Sequence, residues 1–113
     1  MNRIKIDANE IKDWDSFHDC FSKAFGFPDF YGKNMNAWID CMTSLDAPDD
    51  GMTTIHAEPG KTIILEIENI NSLAEQNSEI YEALIECSAF VNHRKLEVGE
   101  PAVLTLSYNR NGT

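Results

Sequence analysis

The spacing of hydrophobic and polar positions changes several times along this chain, and each change predicts an element. Arg3-Ile4-Lys5-Ile6-Asp7 alternates polar and apolar, the period of two expected of a short strand. Beyond it, Phe17, Cys20, Phe21, Ala24 and Phe25 recur at i, i+3, i+4, i+7 and i+8, which is one face of a helix. Asp13 or Asp15 can cap its start, since either carboxylate accepts from the free N–H groups of a first turn. Gly26 and Pro28 end it, and Pro28 to Lys33 reads as a turn rich in aromatics. Asn34 is a good cap for a second helix running to about Leu45.

Residues 46–61 carry Pro48, Gly51, Pro59 and Gly60 and read as an enlarged loop, acidic at its start. Such a connector is expected to be dispensable for folding, because each doubling of loop length costs only ~0.6 kcal/mol. Thr62-Ile63-Ile64-Leu65-Glu66-Ile67 is nearly all β-branched or apolar, as expected for a central strand buried on both faces. A short helix is expected at 71–75 and a longer one from Ser78 to about Asn92, with Ile80, Ala83, Leu84, Cys87 and Val91 on one face. Gly99 and Pro101 precede a last strand, Ala102 to Tyr108, and residues 109–113 are expected to form a frayed tail. Strands alternating with helices imply an α/β fold: a small three-stranded parallel sheet with right-handed crossovers, packed by helices, in a single domain over 1–108.

Composition narrows the function classes. The chain has 113 residues, enough for one core, and 42% of them are apolar, which supports a globular domain. Nine Lys+Arg against nineteen Asp+Glu leave a formal charge of −10. Such a surface repels phosphate backbones, so direct nucleic-acid binding is not expected. It would instead steer a basic partner into an encounter. Solubility alone would produce the same composition, so charge supports a function argued elsewhere and establishes none. Met1 to Glu10 has no apolar h-region, and the longest apolar runs are three or four residues, so neither a signal peptide nor a membrane span is expected. Cys20, Cys41 and Cys87 are widely spaced inside apolar-periodic segments and read as buried thiols of a cytoplasmic protein. His18, His56 and His93 are scattered and no CxxC occurs, so no metal and no cofactor is expected. No enzyme motif is present either. Glu58-Pro59-Gly60-Lys61 lacks the spacing of a phosphate loop, and paired carboxylates carry no weight in so acidic a chain.

The second helix is more informative. At ~100° per residue, Asn34, Met35, Met42 and Leu45 fall within about 60° of Trp38, and Cys41 lies on the same side. That face predicts core. Asn36, Asp40 and Thr43 fall on the opposite, solvated side. Ile39 lies beside the polar patch, about 100° from Trp38. It reads either as the centre of a contact surface or as a boundary residue under a neighbouring loop. Glu79, Glu82 and Glu86 share the outer face of the last long helix. Trp38, Phe21 and Leu84 are expected to be buried, Asp40 and Asn36 exposed.

The stretch Phe27-Pro28-Asp29-Phe30-Tyr31-Gly32-Lys33-Asn34-Met35-Asn36-Ala37-Trp38-Ile39-Asp40-Cys41-Met42-Thr43 resembles the barstar signature. That signature is an apolar residue and proline, an acid, two aromatics, Gly-x-Asn, then a helix carrying Asp-Cys-x-Thr. The resemblance runs without a gap from Ile6 through Thr43 and weakens beyond it. It implies a fold of three parallel strands packed by helices and a monomeric intracellular bacterial inhibitor forming a one-to-one complex with a basic ribonuclease. It further implies that Asp40 takes the central phosphate site of the nuclease. Phe30, Gly32, Asn34, Met35, Asn36, Ile39 and Thr43 match other partner-facing positions, and Glu86 a peripheral acid. Phe30, Asn36 and Ile39 depart from the tyrosine, aspartate and tryptophan of the best-known member, and Lys33 reverses a charge. These changes remove anchors of the kind that dominate interfaces. They leave a second reading open, a barstar-fold interaction or regulatory module whose partner is not a nuclease.

Overall fold

The computed structural model describes residues 3–109. Its elements are β1 (Arg3–Asp7), α1 (Trp14–Phe25), α2 (Met35–Thr43), β2 (Ile63–Glu68), α3 (Ile70–Gln76), α4 (Ser78–Glu97) and β3 (Leu104–Asn109). Single 3₁₀ turns at Ala8–Glu10 and Pro48–Asp50 punctuate the connections. The strands form one parallel sheet in the order β1-β2-β3, with Arg3 opposite Ile64 and Ile63 opposite Leu104. This is the expected α/β fold.

The register explains how the sheet divides. Ile4, Ile6, Ile63, Leu65, Ile67, Leu104 and Leu106 share one face by the two-residue period. Most are buried in one core with Phe17, Phe21, Phe25, Trp38, Met42, Leu45, Leu84 and Val91. The other face carries Arg3, Lys5, Ile64, Glu66, Glu68, Thr105 and Ser107. β2 is the central strand its composition predicts, with no exposed residue on either face, although its second face carries two glutamates. Ile64 and Glu68 are half-buried, and the buried Glu66 accepts from the Arg3 guanidinium across the β1–β2 pair.

Local chemistry sets the helix ends. Asp13, not Asp15, caps α1, in a reciprocal box in which Asp13 Oδ1 accepts from Ser16 N at 2.8 Å and the Asp13 N–H donates to Ser16 Oγ. The bonds to Ser16 hold the Asp13 carboxyl below its ordinary pKa. Gly26 ends α1 at φ +68°, where a side chain would be strained and a Cβ would lie 1.9 Å from Thr54 Oγ1. α4 continues five residues past the expected Asn92, because Lys95 extends the buried stripe of Ile80, Leu84, Ser88 and Val91. Its ammonium is held by Asp46 at 2.7 Å and Glu100 at 3.1 Å.

Two expectations need correction. The connector 46–61 is not a free loop: Thr53 and Ala57 are buried. Ala57 N donates to Leu45 O at 2.8 Å and Thr54 N to Phe25 O at 2.9 Å, tying it to the ends of both helices. Of the cysteines only Cys41 is fully buried, and Cys20 and Cys87 are half-buried. Burial pushes all three thiols up, Cys41 to about 11. Asn109 belongs to β3, and the rest of the expected tail lies outside the described residues. Among the described residues no helix is long and apolar enough to cross a membrane.

Candidate protein-binding surface on the second helix

α2 is a short helix with two unlike faces. Asn34 starts it: its Oδ1 accepts from Ala37 N at 2.8 Å, and its Nδ2 donates to Gly32 O at 3.4 Å. The predicted partner-facing residues Gly32 and Asn34 thus shape the turn, although both remain exposed. Trp38, Cys41 and Met42 point into the core, with the Trp38 ring 5.5 Å from that of Phe21 in an edge contact. Phe21, Trp38 and Leu84 are all fully buried, and Asn36 and Asp40 are exposed, as the helical phase predicts.

Ile39 departs from that phase. It is only 9% exposed and belongs to the core, not to the polar patch. The reason is that α2 packs on α4 as well as on the aromatic cluster, which widens its buried arc beyond a single stripe. Thr43 is half-buried, and its Oγ1 donates back to Ile39 O at 2.6 Å.

The loop before α2 is held from α1. His18 Nδ1 lies 2.6 Å from the Tyr31 hydroxyl, and the imidazole stacks on Trp14. Burial of His18 lowers its pKa, with Lys33 acting the same way and Asp15 and Asp19 opposing. Lys33, at φ +52°, turns back to Asp15 (3.2 Å) and Asp19 (3.1 Å) on α1. The Asp19 and Asp15 contacts raise its pKa, so the reversed charge is spent within the molecule. Trp14, His18, Lys33, Asn34 and the half-buried Met35 line a small depression of about 240 Å³. Phe30, 76% exposed, projects from the same loop.

Asp40 itself is not a bare carboxylate. Arg94 Nη1 of α4 donates to its Oδ1 at 3.1 Å, with both side chains about half exposed. The two line a depression of about 410 Å³ with Thr43, Ser44, Asp50 and Met52. Asp50 and Met52 come from the connector, and Asp50 Oδ2 accepts from Ser44 Oγ at 2.8 Å. Glu86 is exposed on α4 eight residues before Arg94, about 12 Å along the helix axis, so α4 meets Asp40 through Arg94 and not through Glu86. The sequence reading missed Arg94, Asp50 and Met52. Extending α4 past Asn92 would have brought in Arg94, but no pattern places the connector residues. No cluster of metal-ligating side chains occurs among the described residues.

Comparison with known proteins bears on this surface. A family model described as "Barstar (barnase inhibitor)" matches residues 1–107. The chain is also 37% identical over 49 residues to the Bacillus subtilis (strain 168) protein named "Putative ribonuclease inhibitor YrdF". That match spans 42% of this chain and 54% of the relative, so the chain covers about half the length of the curated relative it matches. With the family model covering nearly the whole chain, and the parallel sheet and capped α2 in place, this chain belongs to the barstar family.

Proposed function

We propose that this protein is a stoichiometric inhibitor of a basic ribonuclease, acting by inserting α2 and the loop before it into the enzyme's cleft. Asp40 then stands where an RNA phosphate would bind. The observation that carries this reading is the outward Asp40 on a helix whose opposite face is fixed in an aromatic core, within a family described as barnase inhibitors. A cleft lined by Arg, Lys and His is unpaired without RNA, and a rigid anionic helix satisfies it without reorganising. Phe30, Asn36, Met35 and Thr43 flank Asp40 in this arrangement, Gly32 and Asn34 hold the turn, and Glu86 contributes long-range attraction. Ile39 acts from beneath, as core. The complex is one-to-one, in the cytoplasm, and needs no cofactor.

The test is co-purification from the native cell, followed by titration of RNA cleavage by the captured partner. Asp40→Ala is expected to weaken the complex by about 2–5 kcal/mol, mainly through faster dissociation. That range covers truncation of one member of a buried charge pair and includes barnase–barstar itself. Glu86→Ala should cost less and act on the association rate. Wild-type binding by Asp40→Ala would refute the phosphate-mimic mechanism. The second reading, a regulatory module with a non-nuclease partner, draws on the Arg94 contact and the buried Ile39. A captured partner without RNA-cleaving activity would favour it.

A further inference from the structure

The surface around Asp40 carries a feature that a purely anionic plug would lack. Arg94 occupies Asp40 in the free protein. Phe90, one turn before it on α4, is 47% exposed, and Val98, the residue that caps the end of α4, is 70% exposed. Arg94 thus meets the anionic face of α2 while exposed apolar side chains stand four residues to either side of it in the chain. We propose that Arg94 selects the partner: it disfavours a uniformly cationic cleft and fits a basic protein whose cleft is bordered by a carboxylate and apolar side chains. This inference rests on the reading of Asp40 as a phosphate mimic and adds to it which clefts are accepted.

The physical argument is one of charge and water. Half-exposed as it is, the Arg94–Asp40 pair is screened and opens easily in the free protein. Docking removes that screening, because Phe90 and Val98 exclude water at the rim and Coulomb interactions strengthen as the local dielectric falls. If Asp40 enters a cationic site, a guanidinium 3.1 Å from its carboxylate is forced against like charge. A carboxylate on the partner's rim converts that repulsion into a second pair. Discrimination of this kind comes from the repulsive element as much as from the attractive one. Asp50, across the same depression, accepts from Ser44 through Oδ2.

The experiment uses barnase as the probe of a cationic cleft, with the intact protein and three variants. Inhibition of RNA cleavage is titrated, both rate constants are resolved, and a denaturant melt confirms that each variant folds. Arg94→Glu is expected to bind at least tenfold tighter than wild type, with Arg94→Ala between them. Lys5→Glu makes the same change of net charge on the sheet's polar face, away from α2, and is expected to shift affinity less than threefold. The inference is overturned if Arg94→Glu gains nothing, if Lys5→Glu gains as much, or if no form binds barnase. Adding Asp40→Ala to Arg94→Glu separates the two readings. If Asp40→Ala costs nothing in either background the phosphate mimic falls, while a gain from Arg94→Glu in both backgrounds leaves the selective role of Arg94 standing.

Discussion

At the scale of single residues, the imidazole of His18 links the core to the proposed binding loop. It is buried between Trp14 and Phe17 and bonded to Tyr31, and burial lowers its pKa from the ordinary 6.5. The folded state therefore binds this proton less readily than the unfolded chain. The stability it contributes is present above pH 6.5 and is lost as pH falls through the depressed folded value. Denaturant midpoints measured between pH 7.5 and 5 should fall more steeply for wild type than for His18→Gln; equal slopes would show that another group dominates. Lys95 makes the complementary case. Its ammonium bridges Asp46 and Glu100 from a buried position, so Lys95→Ala should cost about 1.5–3 kcal/mol, the range for losing a hydrogen bond between charged groups. Urea melts test this directly. Neither role is visible in the sequence. A lysine on an apolar stripe looks like the end of the stripe, which is why the predicted helix stops at Asn92.

At the scale of elements, caps and stripes were legible and boundaries with the connector were not. Asn34, Gly26 and the spacing from Phe17 to Phe25 predicted two helices whose observed ends differ by two residues at most. Local rules sufficed because capping and helical period involve neighbours in the chain. The connector failed the same treatment because its partners, Phe25 O and Leu45 O, lie up to 29 residues away. Its expected dispensability came from the small entropy cost of a long loop, whereas Ala57 and Thr53 are buried. Ile39 was missed for a related reason: α2 packs on α4 from far along the chain, and Ile39 is buried. The element-scale prediction falls on the junction between α1 and the connector. Gly26→Ala places a Cβ against Thr54 at positive φ, so it should destabilise by more than about 1 kcal/mol. A thermal melt unchanged from wild type would mean that the connector yields easily there.

At the scale of the whole molecule, two faces of opposite character divide the work. Helices and apolar strand positions build the core and present α2, while the polar face of the sheet faces away from it. The resemblance in the first third of the chain was enough to read the family, because it sits on the caps and core positions that shape α2. The partner-selecting chemistry was not readable there, since Arg94 reaches Asp40 only through tertiary packing. The all-parallel sheet also has a kinetic signature. Long-range strand pairing slows folding, so refolding is expected in roughly the millisecond-to-second range. Sub-millisecond recovery in stopped-flow fluorescence of Trp14 and Trp38 would contradict it. The pairing of Arg3 with Ile64 reaches further still, to how the chain is born. On a ribosome adding roughly 5–20 residues per second, β1 emerges several seconds before the strand it pairs with. By then Phe17, Phe21 and Trp38, which share the core with Ile6 in the folded protein, have already been made. β1 must therefore wait for its hydrogen-bonding partner while the residues that bury its apolar face in the folded protein are already in the chain.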